Sequence, residues 1–320
     1  MKRIVVREAG GPEVLKLEDA PELSPAPSEV LVKLHAAGVN PVETYVREGK
    51  NGYVPKLPYT PGDDGAGVVV SVGGDVKHFR AGDRVYVNGS VTGTYAEACL
   101  SEAKSVHRLP DHVTFSQGAA LGVPYGTAYR ALFVRARALP GETVLIHGAS
   151  GGVGTAAVQL AFAAGLRVLG TASTKNGREV VLEEGAAAVF DHTTSTYIHE
   201  ITKFTDGHGV DIVLEMLANV NLGKDLDMLA KHGRVIVIGS RGSIEIDPRA
   251  TMGKDADIRG VALANADDAE LVRIYAALGA GLETGALTPV VGEEYPLVDA
   301  AGAHRAVMHG SKSGKIVLLP

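Results

Sequence analysis

Over the first third of the chain, apolar and polar positions alternate in short stretches, at residues 2–7, 29–34, 67–72, 84–87 and 95–100. Each stretch carries β-branched or alternating apolar residues and predicts a strand. Turn chemistry separates them at Gly10-Gly11-Pro12, Gly73-Gly74-Asp75 and Ala81-Gly82-Asp83. Short strands with glycine turns and few helices predict a small barrel-like β domain. The pattern then changes. Almost wholly apolar runs at 143–147, 167–171, 188–190, 210–216, 234–238 and 258–263 alternate with stretches at helical spacing that begin near 152 and cover 175–184, 197–204 and 222–229. Apolar strands alternating with helices predict a parallel sheet covered on both faces, and six of them match the doubly wound dinucleotide fold. The tail has helical spacing at 267–280 and 298–309, then a strand at 315–319 that needs a partner and is expected to rejoin the first domain.

A length of 320 residues is natural for two domains. The charge of −6 and the lack of a long Lys/Arg run argue against nucleic acid as a partner. Cys99 is the only cysteine, so no intrachain disulfide forms and no oxidising compartment is implied. The apolar run at the N-terminus is too short for a signal peptide or a membrane span. A soluble, cytoplasmic protein is expected.

The strongest motif is His147-Gly148-Ala149-Ser150-Gly151-Gly152-Val153-Gly154, which follows an apolar strand and opens a helix. In that context the glycines have separate tasks. Gly148 allows a tight exit from the strand, Gly151 lets backbone amides approach a pyrophosphate, and Gly154 lets the helix pack close to the sheet. The free N–H groups and partial positive charge of a helix N-terminus suit phosphates. At the end of the next strand, Gly170-Thr171-Ala172-Ser173-Thr174-Lys175 lacks the carboxylate that usually binds the ribose hydroxyls of NAD, and Arg178 follows. That favours the 2′-phosphate of NADP, with Ser173 donating a hydrogen bond and Lys175 or Arg178 neutralising charge.

These residues resemble the zeta-crystallin family of quinone oxidoreductases, in the medium-chain dehydrogenase/reductase superfamily, and the likeness runs over almost the whole chain. It includes Gly10-Gly11-Pro12-Glu13-Val14-Leu15, Gly38-Val39-Asn40-Pro41-Val42-Glu43-Thr44-Tyr45, Pro124-Tyr125-Gly126-Thr127-Ala128-Tyr129, Glu215-Met216-Leu217-Ala218-Asn219-Val220-Asn221 and Gly233-Arg234-Val235-Ile236-Val237-Ile238-Gly239-Ser240-Arg241. The resemblance implies a GroES-like β-rich catalytic domain from residues 1–123 and 264–320, and a Rossmann NADP-binding domain from residues 124–263. It implies NADPH as cofactor and ortho-quinones or similar flat electrophiles as acceptors, with single-electron steps to a semiquinone as one route. It further implies cofactor contacts from Tyr45, Ser150, Gly151, Gly152, Val153, Ser173, His192, Asn221, Ile238, Gly239, Ser240, Arg241, Val261, Ala262 and Leu263. Gly154, Lys175 and Arg178 join them from the reading of the residues. Ser173 stands where relatives have glycine.

Zinc dehydrogenases of the same superfamily use a cysteine at the position of Asn40 and a Gly-His-Glu near Gly62, where this chain has Gly62-Asp63-Asp64. Their structural zinc needs four cysteines. No metal is expected. Without one, positioning carries the chemistry. Tyr45 and Asn40 are the expected catalytic residues: a phenol, protonated near neutral pH, and an amide can each donate a hydrogen bond to a developing oxyanion. Packing alone is the plainer reading of Tyr45, and a turn before Pro41 the plainer reading of Asn40. Two alternatives stay open: reduction of enone or alkenal double bonds with NADPH, and a non-catalytic crystallin-like or AU-rich-RNA-binding protein. A homodimer or homotetramer is expected, paired through the edge strand near 258–263.

Overall fold

A computed structural model describes residues 1–50, 52–309 and 313–320. The chain forms two compact units, Met1–Val123 with Tyr275–Pro320, and Pro124–Ile274.

In chain order the first stretch holds β1 (Lys2–Val5), β2 (Lys16–Asp19), β3 (Glu29–Gly38), α1 (Pro41–Glu48), β4 (Asp64–Val72), β5 (Arg84–Asn88), β6 (Ala98–Glu102), β7 (Val106–Arg108), the one-turn α2 (Phe115–Gly118) and α3 (Gly122–Tyr129). A π-helical segment, Arg130–Arg135, follows. The middle holds β8 (Thr143–Ile146), α4 (Gly152–Ala163), β9 (Arg167–Thr171), α5 (Lys175–Glu183), β10 (Ala188–Phe190), α6 (Tyr197–Phe204), β11 (Val210–Glu215), α7 (Ala218–Met228), β12 (Leu229–Val237), α8 (Arg249–Met252) and β13 (Asp257–Gly260). The tail holds α9 (Asp268–Glu283), β14 (Val291–Pro296), α10 (Ala300–His309) and β15 (Lys315–Leu319).

The first unit is a β structure closed by both chain ends. Its main sheet runs β14-β15-β3-β4-β5-β7, with β6 also pairing β3. The expected C-terminal strand joins it: Val317 stands opposite Gly38 and Leu318 opposite Ala37. Alternation along β3 places Val30, Val32 and Leu34 in one core with Val69, Val85, Val87, Cys99 and Val106. A second core gathers Ile4, Val39, Tyr95, Ala300, Ala303, Ile316 and Leu318. The second core is complete only with residues from both chain ends, so the N- and C-terminal segments fold as one body.

The second unit has six strands in the order β10-β9-β8-β11-β12-β13, and every pairing is parallel. All four residues of β8 are buried, as a central strand covered on both faces requires. Counted within the unit, the order is 3-2-1-4-5-6, which reverses between β8 and β11.

Several expected bounds move. The strand expected at 95–100 runs Ala98–Glu102, and that at 258–263 stops at Gly260, with a 3-10 turn at Leu263–Asn265. Arg130 explains the second shift. It bonds the carbonyls of Ala262 (3.0 Å) and Asn265 (3.4 Å) and the carboxylate of Glu270 (2.6 Å). Those bonds keep the segment beyond 264 with the Rossmann sheet, so the return to the first unit falls at Tyr275, not at 264. Helix α1 was unexpected. Asn40-Pro41 reads as a turn, but Asn40 is an N-cap with Pro41 in the first helical turn and Glu43 completing a capping box. The helical stretch from 115 to 135 was also missed, because Gly122, Pro124 and Gly126 read locally as breakers.

Candidate functional site

In the second unit every expected cofactor residue follows the carboxyl end of a parallel strand. Ser150 to Gly154 follow β8, Ser173 to Arg178 follow β9, and His192 follows β10. Asn221 follows β11, Ile238 to Arg241 follow β12, and Val261 to Leu263 follow β13. Ligands of open α/β sheets bind at this edge, where the strand order reverses. The glycine turn has the anticipated geometry. Gly148 has φ +56°, a left-handed conformation that suits a tight exit. A Cβ on Gly154 would lie 2.3 Å from the Gly148 carbonyl oxygen, so only glycine permits this approach of helix to turn. Gly151 caps α4, and a Cβ there would meet nothing closer than 3.5 Å. Its side is open, as an approaching phosphate needs.

The two candidate cations separate. Arg178 Nη1 donates to the carbonyls of Ala172 (3.3 Å) and Ser173 (3.1 Å) and to Asp191 Oδ2 (2.8 Å). It braces the loop carrying Ser173. Lys175 is exposed and lies 3.7 Å from Glu179, one helical turn on. Asn221 Nδ2 donates to Glu215 Oε1 (3.2 Å), the Arg241 amide donates to Asn219 Oδ1 (2.8 Å), and Ser240 Oγ donates to the Gly242 carbonyl (2.9 Å). The loops after β11 and β12 are thus tied to each other. His192, Ser173 and Arg241 are exposed.

Beneath these loops lies a cluster that sequence reasoning missed. His147 Nε2 bonds Asp225 Oδ1 (2.9 Å) and lies 3.6 Å from Glu215 Oε2; both acids are wholly buried. The Thr171 hydroxyl donates to His147 Nδ1 (3.3 Å) and accepts from the Gly148 amide (3.2 Å). Burial pushes both carboxyls up to about 7, and desolvation lowers the imidazole below its usual range. The polar atoms converge within 4.8 Å, a spacing a metal could bridge. The direct His147–Asp225 bond and the lack of solvent exposure make a proton the better occupant. The only sequence signal was polar residues interrupting apolar runs.

In the first unit one sequence candidate, Asn40, joins a buried polar chain. Asn40 Nδ2 donates to Asp64 Oδ2 (2.9 Å) and Glu43 Oε1 (3.2 Å), while its Oδ1 accepts from Lys315. Both amide hydrogens are therefore committed to carboxylates. Neither points at the oxyanion expected of Asn40, which here bridges α1 and β4. Arg47 Nη1 donates to His304 Nδ1 (2.9 Å), which places the imidazole proton on Nε2, facing the Tyr95 oxygen (3.0 Å). The Tyr95 hydroxyl donates in turn to Glu43 Oε2 (2.6 Å). Burial raises Glu43 to about 7; burial and the nearby Arg47 charge lower His304 to about 3. Tyr45 is half-buried on α1, and its hydroxyl makes no hydrogen bond among the described residues.

Zinc does not fit this donor set. Asp64 Oδ2 is held by Lys315 Nζ (3.0 Å) and by Asn40, and Oδ1 accepts from the Val123 amide (2.7 Å). A buried ammonium beside the carboxylate disfavours a second cation, and the Asn40 oxygen is occupied.

The family described as "Alcohol dehydrogenase GroES-like domain" matches residues 26–139, and that described as "Zinc-binding dehydrogenase" matches residues 152–277. A human protein named quinone oxidoreductase is 52% identical over 321 residues, covering 100% of this chain and 98% of that protein. The rat protein of the same name is also 52% identical, with the same coverage. Among solved structures, Escherichia coli quinone oxidoreductase complexed with NADPH is 30% identical, with a TM-score of 0.90 over 100% of both chains. The chain belongs to the quinone oxidoreductase family of the medium-chain dehydrogenase/reductase superfamily.

Proposed function

We propose that this protein is an NADPH:quinone oxidoreductase. The supporting observation is the glycine turn at a topological switch point, in a chain half-identical over its full length to proteins named for that activity. NADPH supplies the reducing equivalents: quinone, NADPH and a proton give hydroquinone and NADP⁺. Residues 150–153 hold the pyrophosphate: the Gly151 amide donates to the Gly148 carbonyl (3.0 Å), and the open side of Gly151 leaves the amides of Ser150, Gly152 and Val153 reachable. Ser173 and Lys175 hold the 2′-phosphate. Arg178 orients the Ser173 loop from behind, its Nη1 being engaged by the Ala172 and Ser173 carbonyls and Asp191. Tyr45 is the proposed catalytic donor to the acceptor oxygen and also a cofactor contact; Asn40 positions and does not donate. The GroES-like unit serves as the catalytic domain and the Rossmann unit as the NADP-binding domain. No step is assigned to a metal.

We further propose a cytoplasmic homo-oligomer that does not bind nucleic acid. No described helix is long and apolar enough to cross a membrane, and β13 is an edge strand paired only with β12. The acidic balance opposes nucleic-acid binding. NADPH oxidation at 340 nm with 9,10-phenanthrenequinone tests the activity, and alkenal acceptors in parallel test the enone alternative. A folded, NADPH-saturated protein that leaves the quinone unreduced refutes the proposal. Light scattering during size exclusion reads the oligomeric state.

A further inference from the structure

Two carboxylate oxygens in the Rossmann unit, Glu215 Oε2 and Asp225 Oδ2, are buried and have no partner bearing a hydrogen. An oxygen of each carboxyl lies within 4.8 Å of the other and of a His147 nitrogen, at the switch point between β8 and β11. Two ionised carboxylates cannot share such a place; one proton between them resolves both orphans. The pair also has a mechanical position. Glu215 Oε1 accepts from the Leu217 amide at the start of α7 and from Asn221 Nδ2 (3.2 Å). The Glu215 carbonyl accepts from the amides of Ile238 (2.8 Å) and Gly239 (3.2 Å). Asp225 holds His147, which opens the glycine turn, and Thr171 links His147 to the end of β9.

We propose that Glu215, Asp225 and His147 are positioning residues for the nucleotide: one proton trapped between the two acids keeps the loops after β8, β9, β11 and β12 in their binding shape, so that NADPH binding retains or takes up that proton. This rests on the NADPH reading above. The other ionisable groups facing the node are Lys224 on α7, Tyr197 on α6, and His192 with its neighbour Asp191 after β10. Lys224 opposes the proton; Tyr197, itself protonated, does not supply one. Loss of the proton leaves two buried carboxylates in repulsion, and Glu215 can relieve it only by moving off Leu217 and Asn221. The node is intact below neutrality and is lost as pH rises through it, so nucleotide affinity falls in the same direction.

Glu215→Gln isolates the effect. The amide presents an N–H to Asp225 at every pH and keeps an oxygen for Leu217 and Asn221. The NADPH dissociation constant is measured by fluorescence between pH 6.5 and 8.5, with calorimetry in buffers of different ionisation enthalpy. Titration of the 2′-phosphate is common to both proteins and drops out of the comparison. The wild type is expected to weaken about tenfold more than Glu215→Gln over this range and to take up a fraction of a proton on binding at pH 8, which Glu215→Gln does not. If Glu215→Gln does not fold, Asp225→Asn replaces it under the same criterion, since its amide donates to Glu215. Parallel pH profiles and equal proton uptake overturn this inference while leaving NADPH binding intact. A wild type that binds no NADPH at any pH overturns the functional reading, and this inference with it.

Discussion

Replacing Lys315 by methionine should unfold the GroES-like unit far more readily than any exposed charge deletion. The Lys315 side chain is 4% exposed and Asp64 wholly buried, with Nζ 3.0 Å from Oδ2. Methionine nearly conserves the volume, so the change removes charge rather than packing. Asp64 keeps Asn40 Nδ2 and the Val123 amide, but loses the one cation that pairs with it among the described residues, while Asn40 Oδ1 loses its donor. Breaking a buried pair from one side costs about 3–5 kcal/mol, and the two surviving donors place the cost near the lower end. For a unit of this size each kcal/mol moves the melting midpoint by ~2–4 °C, so a drop of at least about 6 °C is expected by calorimetry. Lys2→Met is the control. Its partner Asp19 is 3.4 Å away and both side chains are largely exposed, so solvent screens the pair and the midpoint should not move. If Lys315→Met melts with Lys2→Met, the ammonium is not a structural counterion, and Lys315 no longer bars a metal from Asn40 and Asp64.

Lys175→Ala should raise the KM for NADPH about tenfold and leave that for NADH unchanged, because its loose pair with Glu179 frees it for a phosphate. Equal effects on both nucleotides would count against the 2′-phosphate assignment. Gly154→Val puts a Cβ 2.3 Å from the Gly148 oxygen and should destabilise by at least ~1–3 kcal/mol while weakening NADPH binding; equilibrium denaturation and titration read the two effects. His107 stacks on Tyr275 (4.5 Å between centroids), and burial lowers its imidazole to about 4. The folded state therefore binds fewer protons than the unfolded one between pH 4 and 6.5. The stability this group contributes is full above 6.5 and falls by ~1.4 kcal/mol per pH unit below it. His107→Phe keeps the stack, so its denaturation midpoint should fall less than the wild type's between pH 6.5 and 4.

Local pattern determined much of this protein. The six apolar runs became the six parallel strands, and the glycine spacing at 148, 151 and 154 marked the turn that opens α4, where Gly148 takes a left-handed φ and Gly154 leaves no room for a Cβ. The missing carboxylate after Thr171 was equally a matter of adjacent residues. Helix α1 was not legible, since Asn-Pro serves a turn and an N-cap equally well until Glu43 is seen to complete the box. The ion pair of Arg178 with Asp191, thirteen residues away, was decided only in three dimensions. The same holds for the pairing of Asn40 and Asp64 with Lys315, more than 250 residues on, and for the convergence of His147, Glu215 and Asp225. Hydrophobic periodicity reports which face of an element is buried, whereas buried charges are placed by whichever partner the fold brings to them.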